Sequence, residues 1–216
     1  MDIELARQQM VNQQVRSWDV IDPQVLDTMA SIPREKFMPE DWKDCAFVDR
    51  ELPLADQQMT FSPKIEGRFL QALQLTGTDV CLEIGTGCGY LTACMATLAK
   101  RVVSLEQSET LASRAEATLQ ALRIDNVSII HGLAPGALPD QTFDVVVAGG
   151  SVRNNLSTIK KMIAVGGRAV IVVDDGQIMS AQRITRVDEE HWLAESLFET
   201  VLPPLVGYGP QPRFQF

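Results

Sequence analysis

The sequence predicts a doubly wound α/β fold, in which a mostly parallel sheet carries helices on both faces and ends in a C-terminal antiparallel hairpin. From about residue 63 onward, apolar strand-like runs alternate with amphipathic helical stretches, and this alternation is typical of parallel sheets. Near the C-terminus, the runs 181–187 and 192–200 flank a short acidic turn, as expected for a hairpin at the sheet edge. With 216 residues, of which 45% are apolar, the chain can bury one core but has no room for a second large domain.

The N-terminal 62 residues are irregular and contain much proline. We predict that they form a helical extension and a loop, which pack on a core domain of residues 63–216. Two valines four positions apart predict a helix over 4–17. Asp22 and Pro23 supply an N-cap and a favoured first residue for a second helix, 22–31.

The later elements each have a local signal in the sequence. Ser108 is placed to cap the helix that follows it, and Leu111, Ala115 and Leu119 give that helix one apolar face. Two glycines mark the turn before the last parallel strand. The predicted strands are 80–84, 102–106, 127–131, 144–148 and 168–173, and further helices are predicted at 89–99 and about 154–163.

Charge and hydropathy exclude several classes of protein. Nineteen basic and 28 acidic residues leave a formal net charge of −9, which argues against nucleic acid as a partner, because its binding relies on clustered Lys and Arg. No apolar run approaches the ~20 residues that a membrane span needs, so no membrane partner is predicted. Residues 1–4 include two acids and lack the basic-then-apolar order of an export signal. We therefore predict a cytoplasmic location.

The cysteines and histidines predict no metal site. The chain has four cysteines and two histidines, and no two cysteines form a C-x-x-C pair or the spacing of a zinc site. We interpret three of the cysteines as small buried hydrophobic residues.

The stretch 82–90 carries the chemistry that is easiest to interpret. Gly85, Gly87 and Gly89 alternate where a strand should pass into a helix, and glycines there let the backbone turn tightly and approach a ligand. The spacing is G-x-G-x-G, whereas a pyrophosphate site normally shows G-x-G-x-x-G, so nicotinamide or flavin binding is disfavoured.

Two acids lie near these glycines. Glu106 ends the next predicted strand, which is where an acid reaches the hydroxyls of a ribose. Together with Glu83 it would repel a pyrophosphate but suit a ligand with an ammonium group and a sulfonium centre, as in S-adenosylmethionine. The alternative is that the glycines only make a tight turn and that both acids are solvated strand ends.

Several other short blocks are distinctive, above all Pro-Arg-Glu-x-Phe-x-Pro at 33–39. With these blocks the chain resembles the protein-L-isoaspartate O-methyltransferase family over nearly its full length. The resemblance implies a class I methyltransferase fold, S-adenosylmethionine as cofactor, and methylation of the α-carboxylate of isoaspartyl residues in aged proteins, which starts their repair. The other supporting blocks are 25–27, 32, 46–49, 52–54, 82–90 and 166–168.

The resemblance also implies which residues contact the cofactor. The family has an acid that meets the adenine amino group, but this chain has Gly132 and Leu133 there, so Leu133 is expected to pack on the adenine instead. The family's Thr-Ala-Ala corresponds to 149–151, where two glycines should leave less bulk at the mouth of the site. The predicted cofactor-binding residues are Glu83, Gly85, Thr86, Gly87, Gly89, Glu106 and Leu133.

The resemblance further implies that the N-terminal loop around residues 52–63 binds the substrate, and this substrate loop departs from the family. An alignment without gaps places Met59, Thr60 and Phe61 where the family has Thr-Ile-Ser, whose hydroxyls line the methyl-transfer site. A slip of one residue would restore hydroxyls at Thr60 and Ser62 but would displace the proline that follows. Thr60 and Ser62 are the hydroxyls left to position an acceptor, and we predict them as the catalytic residues.

Three functions remain open at this point. The first is an S-adenosylmethionine-dependent protein carboxyl methyltransferase of the repair type, with isoaspartyl proteins or peptides as substrates. The second is a divergent methyltransferase with another carboxylate or hydroxyl acceptor. The third is an S-adenosylmethionine-binding protein without turnover.

Overall fold

A computed structural model describes residues 2–210 of the chain. It contains a seven-stranded sheet with the order β3-β2-β1-β4-β5-β6-β7, in which β1 to β5 are parallel and β6 and β7 are antiparallel. The predicted doubly wound sheet with a C-terminal hairpin is therefore confirmed. The strands are β1 Val80–Ile84, β2 Arg101–Glu106, β3 Val127–His131, β4 Phe143–Val152, β5 Ile163–Asp174, β6 Met179–Arg186 and β7 Trp192–Glu199.

Residues 2–210 contain six α-helices: α1 Ile3–Gln9, α2 Pro23–Ser31, α3 Pro63–Leu73, α4 Tyr90–Leu98, α5 Glu109–Ala121 and α6 Leu156–Lys161. Both predicted N-caps are present, since the Asp22 carboxylate accepts from the backbone N–H of Gln24 and the Ser108 hydroxyl accepts from that of Leu111. Each cap satisfies a backbone donor that the first helical turn leaves free.

The predicted helix over 4–17 is present as one continuous helical run over 3–18, but it is not α-helical throughout. The chain leaves the α-helical form after α1, continues as a π-helix over Met10–Val15 and ends in a 3₁₀ turn over Arg16–Trp18. Val15 packs so closely on α3 that a Cβ built at Gly67 would lie 2.6 Å from its Cγ1 atom. Tertiary packing, which a local periodicity cannot report, accompanies this change of helix type.

Two strands are longer than the sequence predicts. β4 runs on to Val152 and β5 begins at Ile163, and their pairing changes register twice along its length. The glycines at 166 and 167, predicted to precede β5, lie inside it. Such irregularities bend a strand without ending it.

Apolar side chains cover both faces of the sheet. Along β4, Val145 and Val147 belong to one buried cluster, whereas Val146 and Ala148 belong to a second cluster on the opposite face. This division follows from the alternation of side chains along a strand. No helix within residues 2–210 is long and apolar enough to cross a membrane.

Candidate active site

A cavity opens at the carboxyl ends of β1 and β4. These strands are neighbours, although β2 and β3 lie between them in the chain, so the strand order reverses here, and ligands of doubly wound sheets bind at such a point. The loop after β1 forms its floor, residues 57–61 form one wall and residues 202–206 another. Among the predicted site residues, those that line it are Thr60, Glu83, Gly85, Thr86, Gly87, Glu106 and Leu133.

The glycine loop has backbone angles that favour glycine. Gly85, Gly87 and Gly89 all have positive φ, at 99°, 55° and 87°, a region that L-residues rarely adopt. A Cβ on Gly149 of β4 would lie 2.8 Å from the carbonyl oxygen of Gly85, so β4 needs a glycine where it passes this loop. Gly89 is not among the lining residues; a Cβ there would lie 2.9 Å from that of Ala115 in α5.

Glu83 lies at the bottom of the cavity and is 1% exposed. Its Oε2 atom accepts hydrogen bonds from the hydroxyls of Thr92, at 2.5 Å, and Ser104, at 2.6 Å. The Ser104 hydroxyl also lies 2.6 Å from that of Thr86, the neighbour of the glycines. Burial raises the pKa of Glu83 to about 7, against the lowering effect of the two hydroxyl donors.

Glu106 is held at the end of β2 by backbone donors. Its Oε2 atom accepts from the N–H of Gly87 at 2.8 Å, and its Oε1 atom accepts from the N–H of Ser108 at 2.9 Å. A carboxylate has about four lone-pair positions, so each oxygen can accept a further hydrogen bond from a ligand hydroxyl. Leu133 lines the same end of the cavity and is 50% exposed, which leaves its side chain available to a flat apolar group.

The substrate loop, residues 52–62, folds back on itself beside the cavity. Pro53 and Met59 form an antiparallel bridge, the N–H of Thr60 donates to the carbonyl of Leu52 at 2.8 Å, and the N–H of Leu52 donates to the Thr60 hydroxyl at 2.9 Å. At the loop tip, the Asp56 carboxylate contacts the hydroxyl of Ser108 beside Glu106. The loop therefore reaches from the cavity wall at residues 59–61 to the side of the cavity where Glu106 lies.

Residues 59–62 of the loop differ in whether they line the cavity and in how exposed they are. Met59, Thr60 and Phe61 line it, with Met59 41% exposed and Thr60 4% exposed, so Met59 is not a core residue. Phe61 packs edge-on against Phe69 with ring centroids 5.2 Å apart. Ser62 precedes α3, is buried and is not among the lining residues.

A buried ion pair, which the sequence patterns do not predict, supports the loop. Arg34, which is 0% exposed, binds Glu66 of α3 through Nε at 3.0 Å and Nη2 at 3.2 Å. Its other donors reach the carbonyls of Ala46, at 2.6 Å, and Phe61, at 2.9 Å. Arg34 belongs to the distinctive block 33–39, but no local pattern indicates a partner 32 positions away.

The sequence patterns also do not predict the cavity wall that residues 202–206 form. The carbonyl of Pro203 accepts from the N–H of Ser151, and the N–H of Leu205 donates to the carbonyl of Ser151, both at 2.9 Å. A Cβ on Gly150 would lie 2.9 Å from the Leu205 nitrogen. The lack of a side chain at the second of the two glycines in β4 thus lets the backbone of residues 203–205 approach the strand.

The charged residues that line the cavity are all acidic within residues 2–210. Four glutamates line it, at positions 51, 66, 83 and 106, and no lysine, arginine or histidine of residues 2–210 does. Cys88 also lines it, but burial raises the pKa of this thiol to about 11, so it stays protonated at neutral pH and is a poor nucleophile. Within the same residues, no group of three or more His, Cys, Asp or Glu side chains is arranged to hold a metal ion. The cavity therefore suits a cationic ligand.

Comparisons with known proteins agree on one family. The family model described as protein-L-isoaspartate(D-aspartate) O-methyltransferase matches residues 5–208. Protein-L-isoaspartate O-methyltransferase 1 of Rhodopseudomonas palustris strain HaA2 is 36% identical over 217 residues, which cover 96% of this chain and 88% of that protein. A protein of the same name from Syntrophobacter fumaroxidans is 38% identical over 178 residues, covering 81% of this chain and 82% of that protein.

Solved structures agree on the fold. A Plasmodium falciparum protein assigned to the same type of enzyme, solved in complex with S-adenosyl-L-homocysteine, superposes with a TM-score of 0.77. The two chains are 20% identical, and the match covers 92% of this chain and 97% of the other. A second structure, of a protein-L-isoaspartate O-methyltransferase, has a TM-score of 0.77 at 21% identity, covering 92% of this chain and 65% of that one.

Proposed function

The chain belongs to the protein-L-isoaspartate(D-aspartate) O-methyltransferase family, and on this premise we propose that it methylates the α-carboxylate of isoaspartyl residues in proteins. It is an S-adenosylmethionine-dependent methyltransferase of this family. Its substrates would be isoaspartyl-containing proteins or peptides, and its role the first step of protein repair.

One observation carries the proposal, namely a cavity that combines bare glycine backbone with carboxylates and no cationic side chain within residues 2–210. These residues fit S-adenosylmethionine, whose sulfonium and ammonium groups are cations. We propose that Glu106 binds the ribose, that Glu83 lies near the methionyl end, and that Gly85, Thr86 and Gly87 border the ligand. Leu133 would pack on the adenine, and Gly89 would act indirectly, by letting α4 approach α5.

Methyl transfer to a carboxylate requires few catalytic side chains. When bound, S-adenosylmethionine supplies an electrophilic methyl group on a sulfonium that leaves as a neutral thioether. The acceptor carboxylate is ionised at neutral pH and needs no general base. The chain's own task is to hold the acceptor in line and exclude water, and orientation of this kind contributes about 7 to 11 kcal/mol to lowering a barrier.

We propose that Thr60 positions the acceptor. Its Oγ1 atom accepts from the N–H of Leu52, which leaves the hydroxyl proton free to donate to a carboxylate oxygen. Ser62, also predicted from the sequence, lies behind the cavity wall and would contribute through the start of α3. Arg34 would fix the loop by binding the Phe61 carbonyl.

The direct test is methyl transfer to a synthetic peptide that contains one isoaspartyl residue, with the aspartyl isomer as the matched control. We expect ester formation with the isoaspartyl peptide and none with the control, because the loop must receive an α-carboxylate displaced by one extra backbone carbon. Calorimetry with S-adenosylhomocysteine checks that the preparation binds the cofactor product. Binding without transfer would overturn the proposed acceptor.

Met59 and Phe61 favour a second candidate, a methyltransferase with another acceptor. Both residues line the cavity, and neither has a side chain that can donate a hydrogen bond to a carboxylate. Transfer to a different carboxylate or hydroxyl compound, with none to the isoaspartyl peptide, would establish this candidate. Cofactor binding with no transfer to any acceptor would instead indicate a binding protein without turnover.

We also propose a cytoplasmic location. All four cysteines lie within residues 2–210 and none forms a disulfide, and free thiols are typical of reducing compartments. Fractionation of the cells that produce the protein tests this location.

A further inference from the structure

Three of the four glutamates that line the cavity are engaged by groups of the chain itself. Glu66 is paired with Arg34, Glu83 accepts from two hydroxyls, and Glu106 accepts from two backbone N–H groups. Glu51 differs, because its carboxylate has no hydrogen bond or ion pair within residues 2–210. It is half-buried and lines the same cavity.

The substrate loop sets the position of Glu51. The bridge between Pro53 and Met59 and the two hydrogen bonds between Leu52 and Thr60 share one antiparallel register. Continued by one residue, this register places Glu51 opposite Phe61. Glu51 therefore lies beside Phe61, in the part of the loop that we propose binds the acceptor, whereas the loop tip at Asp56 contacts Ser108.

A carboxylate there has a consequence for the acceptor. The methylated group is itself an anion, and no cationic side chain of residues 2–210 lines the cavity to balance Glu51. Arg50 precedes it in the chain but is exposed and does not line the cavity. Glu51 would therefore repel an anion bound beside it in this partly buried site, and a basic side chain on the acceptor molecule would offset that repulsion.

We propose that Glu51 is a specificity-determining residue that selects acceptors with a lysine or arginine side chain next to the methylated residue. This inference rests on the proposed function and narrows its substrate class to basic isoaspartyl segments. Glu51 would pair with the basic side chain, and the apolar surface of Met59 and Phe61 would contact its methylene groups. An acidic neighbour would face Glu51 without a partner and bind poorly.

The test uses three isoaspartyl peptides that differ only in one flanking residue, which is Lys, Gln or Glu. For the unchanged protein we expect kcat/KM to fall in that order, by about tenfold from Lys to Glu. In Glu51→Gln the difference should shrink to about twofold, and in Glu51→Lys the order should reverse. Raising the salt concentration should also reduce the difference, because the pair is only partly buried.

Glu116→Gln is the matched control, since it removes the same charge from an exposed position on α5 and should leave the order of the peptides unchanged. A merely structural role of Glu51 would lower all three rates together and could not reverse their order. If the unchanged protein methylates all three peptides equally, or if Glu51→Gln keeps the tenfold difference, the inference is wrong and the proposed function stands. If none of the peptides is methylated, the inference and the proposed function are both wrong.

Discussion

At the scale of single residues, the two glutamates Glu83 and Glu106 line the same cavity but have different surroundings. Glu106 and Glu83 are both buried, but Glu106 is held by backbone N–H groups from the glycine loop and from the start of α5, whereas Glu83 has only hydroxyl donors at the bottom of the cavity. Burial opposes the charge on Glu83. The two acids should therefore respond differently to substitution.

Replacing Glu106 with alanine should weaken cofactor binding by about 1.5 to 3 kcal/mol, because hydrogen bonds to the ribose hydroxyls from a charged group are lost. Calorimetric titration with S-adenosylhomocysteine measures the change, with Glu116→Ala as a control on an exposed face. A dissociation constant equal to that of the unchanged protein would show that the ribose lies elsewhere.

Glu83 should make the free energy of unfolding depend on pH. Its pKa is raised by burial from an ordinary 4.5 to about 7 in the folded chain, so the folded state binds the proton more tightly than the unfolded state. Stability contributed by this group is therefore lost as pH rises from about 4.5 to about 7, by up to about 3 kcal/mol.

Denaturant unfolding of the unchanged protein and of Glu83→Gln at several pH values tests this expectation. The variant has no charge to bury, so its stability relative to the unchanged protein should increase as pH rises from about 4.5 to about 7. A stability difference that stays constant over that range would contradict the raised pKa of Glu83.

At the scale of elements, glycines decide how closely the elements around the cavity approach. The two glycines in β4 allow the glycine loop on one side and the 203–205 segment on the other to lie against the strand. Gly67 does the same for α3, where a Cβ would meet Val15 of the N-terminal π-helix. Because Gly67 has no Cβ, the N-terminal extension can pack closely on the core.

Gly67→Ala should therefore destabilise the protein by about 1 to 3 kcal/mol through overpacking, although alanine favours a helix by about 1 kcal/mol over glycine. Gly77→Ala is the matched control, because no atom lies within 4 Å of a Cβ at that position. Thermal unfolding of both variants measures the effect. Equal stability of the two variants would show that α3 and the π-helix can separate without cost.

At the scale of the whole molecule, one arginine joins distant parts of the chain. Arg34 connects the N-terminal extension to α3 through Glu66, to the segment before the substrate loop through Ala46, and to the loop through Phe61. Its Nε, Nη1 and Nη2 atoms all donate hydrogen bonds, as a buried cation requires. Extension, loop and core domain should consequently unfold as one unit.

Arg34→Met should cost about 3 to 5 kcal/mol, because it leaves the Glu66 carboxylate buried without a partner. Adding Glu66→Gln should recover part of that loss, and Arg114→Met on α5 is the control for removal of a cation. Denaturant unfolding, followed by circular dichroism and by tryptophan fluorescence, measures the stability of the unchanged protein, of Arg34→Met, of Arg34→Met with Glu66→Gln, and of Arg114→Met. A separate early transition of residues 1–62 would contradict the single unit.

The local sequence by itself determined the strand and helix alternation, the caps at Asp22 and Ser108 and the turn at Gly85, since these depend on neighbouring residues and on backbone chirality. It also placed Glu83 and Glu106 at strand ends that share one edge of a parallel sheet.

Tertiary structure decided the rest. The pairing of Arg34 with Glu66, the Pro203–Leu205 wall and the free carboxylate of Glu51 depend on segments that lie far apart in the chain and meet only after the sheet has formed. No period or spacing encodes such contacts, because the partner of each side chain is chosen by packing in three dimensions.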